Sequence, residues 1–98
     1  MSINITTGSE KQNAWANQIA GAWLASIDRE IETIDLRISE GDALLAPYKI
    51  LLATGREKFV SAASAWAARD VIDRKANDYG RVMIDQARKA FDQQKATA

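Results

Sequence analysis

Residues 15–38 read WANQIAGAWLASIDREIETIDLRI. Apolar side chains recur at Trp15, Ile19, Trp23, Ile27, Ile31, Ile34 and Ile38, at steps of 4, 4, 4, 4, 3 and 4. That spacing fits an α-helix with one apolar stripe and not the two-residue alternation of a strand. Upstream, Thr7-Gly-Ser-Glu10 has the form of a capping box, in which the Thr7 hydroxyl and Glu10 carboxylate satisfy free backbone N–H groups. Downstream, Gly41 suits the position just past a helix end, where a positive φ is cheap only for glycine. These signals predict a first helix over about residues 9–39, with Trp15 and Trp23 in the core.

Beyond Gly41, Asp42 is placed to cap a second, shorter helix carrying Leu44, Leu45, Tyr48, Leu51 and Leu52, with Pro47 in a first turn or at a kink. Thr54-Gly-Arg-Glu57 repeats the first box and predicts a third helix from near Arg56. Its apolar stripe, Ala65, Ala68, Ile72, Ala76, Tyr79, Met83, Ala87 and Ala90, keeps phase across Gly80. So does a ladder of alternating charge, Arg74, Asp78, Arg81, Asp85, Arg88, Asp92 and Lys95. Both favour one long helix through Gly80, bent at Asn77-Asp78-Tyr79-Gly80, with a break there as the alternative. Small residues at Ala62, Ala65, Ala68 and Ala76 would let the first helix approach closely. The expected fold is all-α: one domain over 1–98, a small bundle of two long antiparallel helices plus a short one, three to four helices in all. Residues 1–7 and 95–98 are expected to be flexible.

Composition narrows the chemistry. The 98 residues carry 13 Lys+Arg and 13 Asp+Glu, with no His and no Cys. Disulfides, thiolate or imidazole zinc sites, cysteine nucleophiles and the usual general base are thereby excluded. No G-x-S-x-G, phosphate-cradling glycine loop or S-x-x-K occurs, so the sequence points away from an enzyme and implies no cofactor and no metal. No apolar run reaches the ~20 residues of a membrane span, and no signal peptide is visible, which predicts a cytoplasmic protein with no membrane partner. The zero net charge points away from direct nucleic-acid binding.

Three surface features are candidates for binding. Carboxylates gather at Asp28, Glu30, Glu32, Asp35, Glu40 and Asp42, and Asp28, Glu32 and Asp35 share a helical face. Such a segment is either a solvated face or an imitation of phosphate spacing aimed at a basic groove. In the second case, replacing Glu30, Glu32 and Asp35 with lysine should abolish binding and leave helicity unchanged. Phe59 and Trp66, seven residues apart beside Asp70 and Asp73, form either an exposed aromatic anchor or core packing. Residues 1–55 carry 4 Lys+Arg and 7 Asp+Glu, and residues 56–98 carry 9 and 6. This opposition of charge either holds the bundle together or favours a homodimer.

Two segments carry a resemblance. Gly8-Ser-Glu-Lys-Gln12, followed by Trp15-Ala16 and Ile19, resembles a group of small phage- and plasmid-encoded proteins that begin G-[ST]-E-K-Q-x-x-W-A-x-x-I. Ala68-Arg69-Asp70-Val71-Ile72-Asp73-Arg74 is similar to their second shared segment, A-[KR]-x-x-I-D-x-R. At least one similar protein is an anti-CRISPR, an inhibitor of a type I bacterial defence complex. The resemblance therefore implies a mobile-element inhibitor acting inside the host cell by binding a Cas subunit. The matched residues look like scaffold and transfer no contact surface. The alternatives are a small helical DNA-binding regulator using the basic C-terminal half, or a structural subunit of a virion or secretion assembly.

Overall fold

The computed structural model describes residues 3–97 and is all-α: α1 spans Glu10–Ser39, α2 Ala46–Ser64, α3 Ala68–Asp73 and α4 Tyr79–Thr97, with a 3₁₀ turn at Ala43–Leu45. Ion pairs align α1 against α2 antiparallel, Asp28 meeting Arg56 and Asp35 meeting Lys49. Helix α4 runs parallel to α1, since Ser26 meets Asp78 while Glu30 meets Arg88. The short α3 packs on α1. The expected small helical bundle is found, but only one of its helices is as long as expected.

The first helix matches its predicted span, while its cap differs. Ser9 is the capping residue, and it exchanges hydrogen bonds with Gln12: the Gln12 N–H donates to Ser9 Oγ, and the Ser9 N–H donates to Gln12 Oε1. At the other end Gly41 takes φ +114°, and the N–H groups of Gly41 and Asp42 return to the carbonyls of Ile38 and Arg37 at 3.0 Å each. This paired closure is a Schellman motif and explains why glycine stands there.

Trp15 is not in the core. It is 46% exposed, with the Lys75 ammonium 4.8 Å above its ring centre, whereas Trp23, Ile27 and Ile34 are buried. The cause is geometric. Each step of four residues advances about 40° beyond a full turn, so four such steps carry Ile31 about 160° around the helix from Trp15. The buried face of the N-terminal half instead runs through Ala16, Ala20, Trp23 and Leu24.

The second half departs further from expectation. Thr54-Gly55 starts no helix, because α2 runs unbroken through it with Pro47 in its first turn. No side chain caps the 3₁₀ turn at Asp42. The expected long helix through Gly80 is interrupted twice, at residues 65–67 and 74–78. The first break is held by Thr7, whose hydroxyl donates to the Trp66 carbonyl and accepts from the Ala68 N–H, at 2.9 and 2.7 Å. At the second, Asp78 caps α4 by accepting the Arg81 N–H at 3.1 Å, and the Trp23 indole N–H donates to the Asn77 carbonyl at 2.6 Å. The alanine stripe is therefore split: Ala68 and Ala87 are buried, while Ala62, Ala65 and Ala76 are exposed.

Residues 3–7, expected to be loose, are tied down. Ile5 is buried, its N–H donating to Asn17 Oδ1 at 2.7 Å while Asn17 Nδ2 donates to the Ile5 carbonyl at 3.1 Å. Asn4 also donates its N–H to Ser64 Oγ. At the far end residues 95–97 continue α4. Met1, Ser2 and Ala98 of the expected flexible ends lie outside the described residues. Among the described residues no helix is long and apolar enough to cross a membrane.

Candidate functional site

The acidic segment is largely occupied within the chain. Asp28 accepts from both Nε and Nη2 of Arg56 on α2, at 2.5 and 3.3 Å. Asp35 pairs with Lys49, also on α2. Glu30 Oε2 accepts from the Tyr48 hydroxyl at 2.7 Å and from Arg88 of α4 at 3.0 Å. Of the four carboxylates that sequence marked for partner binding, only Glu32 is exposed and without such a contact. The charge opposition between the two halves is thus partly spent across the bundle, through Arg56 and Arg88. Arg56 is held charged above its usual range, chiefly by its hydrogen bond to Asp28. Burial and the adjacent Glu30 push the Tyr48 phenol up to about 12.

The charged ladder is likewise dispersed. Asp78 caps α4 and accepts from Ser26, Arg81 reaches Asp85 at 3.7 Å, Arg88 turns to Glu30, and Lys95 lies over the Phe91 ring. Such a face offers no uninterrupted row of cations to a phosphate backbone.

Of the two readings of the aromatic pair, packing is the one the rings follow. Phe59 is buried and Trp66 half-buried, their rings perpendicular at 5.5 Å. They do not share a helix face as expected, because α2 ends at Ser64 and Trp66 stands in the turn that follows. That turn points the indole at Trp23 of α1, 6.1 Å away, and at Tyr79 of α4, 6.4 Å away. Trp23 and Tyr79 meet edge to face at 4.9 Å. One indole thereby joins three helices, α1, α2 and α4.

Two surface recesses open on either side of this cluster and share Trp66 and Tyr79. One, of about 180 Å³, lies among α1, α3 and the start of α4, lined also by Trp23, Ala67, Asp70, Val71 and Arg74. The other, of about 290 Å³, runs between α2 and α4 over Gly55, Lys58, Phe59, Val82, Met83 and Gln86. Gly55 lets Met83 of α4 close on α2 at this recess, since a side chain there would meet the Met83 sulfur. Sequence had marked Trp66 and Phe59 but missed Trp23, Tyr79 and Val82 as their neighbours. The available signal was the turn-forming Asn77-Asp78-Tyr79-Gly80, which pulls Tyr79 onto Trp23.

Searches of protein-family models, curated proteins and solved structures return no match to this chain.

Proposed function

We propose that the chain is a non-catalytic interaction protein that inhibits a type I bacterial defence complex, and that it grips a Cas subunit through the face around Trp66. The inhibitory activity rests on the resemblance of the Gly8–Ile19 segment to small mobile-element proteins. The choice of face rests on one observation: Asp28, Glu30 and Asp35 are already neutralised by Arg56, Arg88 and Lys49. A phosphate mimic must offer its carboxylates to the partner's cations, and here three of them face cations of their own chain. The α2/α4 recess, by contrast, presents half-exposed Val82 with the rim cation Lys58 over an aromatic floor. An apolar centre with a polar rim is the usual anatomy of a binding surface.

On this reading the face around Trp66 takes the place of the acidic segment, and the triple lysine replacement no longer discriminates. Replacing Glu30, Glu32 and Asp35 together removes contacts between helices as well as surface charge, so a loss of activity would not isolate mimicry. The discriminating experiment is plating efficiency of CRISPR-targeted phage on hosts expressing wild type, a Lys58→Glu/Val82→Asp double variant, or Glu32→Lys. All three altered positions are exposed. Inhibition by wild type and Glu32→Lys, with loss in the double variant, supports the proposal.

A further inference from the structure

The outer face of α2 is apolar over its first turns and the turn before them. From residue 43 to residue 54 no exposed side chain carries a charge, in a chain that is 27% charged. The one charged residue of that stretch, Lys49, is half-buried and paired with Asp35. Leu44 is 80% exposed and Ile50 66%, the highest values for large apolar residues among those described. Tyr48, Leu52 and Phe59 turn into the core, so the helical repeat turns Pro47, Ile50 and Thr54 outward, with half-buried Leu51 at their flank. Leu44, Pro47, Leu51 and Thr54 follow one another at steps of 3, 4 and 3. Helices that meet along a seam use this spacing.

The ends of the strip select the partner. Glu40 precedes it in the turn from α1, and Lys58 follows it, continuing the line of Leu44 and Leu51 at seven-residue steps. Both are exposed, and neither has an ion-pair partner within 4.0 Å among the described residues. A second copy laid antiparallel, with a twofold axis at Pro47, sets Leu44 of each copy against Ile50 and Leu51 of the other. It also carries each acidic end toward the other's basic end. A parallel pairing would instead bring like charges together. One surface then serves both copies, as a twofold contact requires.

We propose that the outer face of α2 is a self-association surface, on which a second copy of this chain packs antiparallel about Pro47. The strip is about 18 Å long and about 10 Å wide, from the rise and diameter of a helix. Pairing two copies removes on the order of 1,000 Å² from water, the small end of specific interfaces, so the dimer is a weak one. It is independent of the inhibitory function. Ile50→Glu leaves Lys58 and Val82 in place, so loss of the dimer and loss of inhibition are read separately.

The test is analytical ultracentrifugation of the purified protein from about 5 to about 500 µM, the range in which an interface this small dissociates. The mass should rise from 10.8 kDa toward twice that value. Leu44→Glu and Ile50→Glu, both with unchanged helical circular dichroism, should stay monomeric, while Leu36→Glu, exposed on α1, should associate as wild type does. Lys58→Glu should weaken the dimer at least threefold, and adding Glu40→Lys should restore it. The chain has no cysteine, so an introduced thiol reports position: Pro47→Cys should oxidise to a linked dimer and Leu36→Cys should not. A monomer at every concentration, undiminished association of Ile50→Glu, or equal linkage through Leu36→Cys would each overturn the proposal. A charge-swapped double variant no tighter than Lys58→Glu alone would overturn the antiparallel arrangement and the proposal with it.

Discussion

Gly80 lies against the backbone of Trp23, so close that a methyl group added at Gly80 would collide with the Trp23 carbonyl oxygen. The contact seats the first turn of α4 on the middle of α1 and brings Tyr79 onto the Trp23 ring. The glycine is thus needed for proximity between helices, and the aromatic cluster around Trp66 depends on it.

Replacing Gly80 with alanine should therefore cost about 3 kcal/mol, because backbone and not a movable side-chain end stands in the way. Gly21 is the contrasting case, exposed in the middle of α1 with nothing within 4 Å of an added methyl. There alanine should stabilise by about 0.5–1 kcal/mol through helix propensity. Urea denaturation of the two variants, read by far-UV circular dichroism, should give shifts of opposite sign.

Asn17 is the clamp of the N-terminal segment, serving both the N–H and the carbonyl of Ile5. Asn17→Leu should cost about 1–3 kcal/mol by leaving those backbone groups without partners. Hydrogen exchange should show the Ile5 amide losing its protection in the variant while the core of α2 keeps most of its own.

Tyr48 should make stability fall in strong alkali. Its phenol is pushed from 10.0 to about 12 in the folded protein, by burial first and by Glu30 second. The unfolded chain therefore loses this proton at lower pH than the folded one. Its contribution is fully present below pH ~10 and declines between pH ~10 and ~12, by at most about 2–3 kcal/mol. Denaturant midpoints at pH 8 and 11 should separate more for wild type than for Tyr48→Phe.

Glu30 and Glu32 stand two residues apart and should respond differently to charge reversal. Glu30→Lys removes the acceptor of Tyr48 and places a cation beside Arg88, and should cost about 2 kcal/mol. Glu32→Lys touches no partner and should stay within about 0.5 kcal/mol of wild type. Thermal melts of the two single variants check both expectations.

How far the fold was legible depended on whether its determinants were local. The span of α1 and the positive φ of Gly41 follow from periodicity and glycine chemistry within one helix and its end. The breaks at 65–67 and 74–78 were hidden because they are imposed from outside. Thr7 reaches across the chain to the Trp66 carbonyl, and Trp23 reaches to the Asn77 carbonyl. A stripe that keeps phase through such breaks predicts a helix that tertiary partners override. The box at Thr7 failed for a related reason. Thr7, Ser9, Glu10 and Gln12 all fit a capping role locally, and the competing demand on Thr7 from the α2–α3 turn decided among them.

The site was legible in parts. Trp66 was singled out with Phe59 as one of an aromatic pair, while its contacts with Trp23 and Tyr79 were not legible. The acidic segment was legible as charge but not as availability. Whether Asp28 faces solvent or Arg56 depends on the crossing of α1 and α2, which no local spacing reveals.

The claim that this chain works by binding through the α2/α4 face is tested most directly by plating CRISPR-targeted phage, with a non-targeted phage as control, on hosts carrying type I systems. The account predicts that wild type and Glu32→Lys restore plating of the targeted phage alone, and that Lys58→Glu/Val82→Asp, folded by circular dichroism, does not. Restored plating by the double variant and its loss in Glu32→Lys would return the activity to the acidic segment. No restoration by wild type in any type I host would contradict the inhibitory function itself.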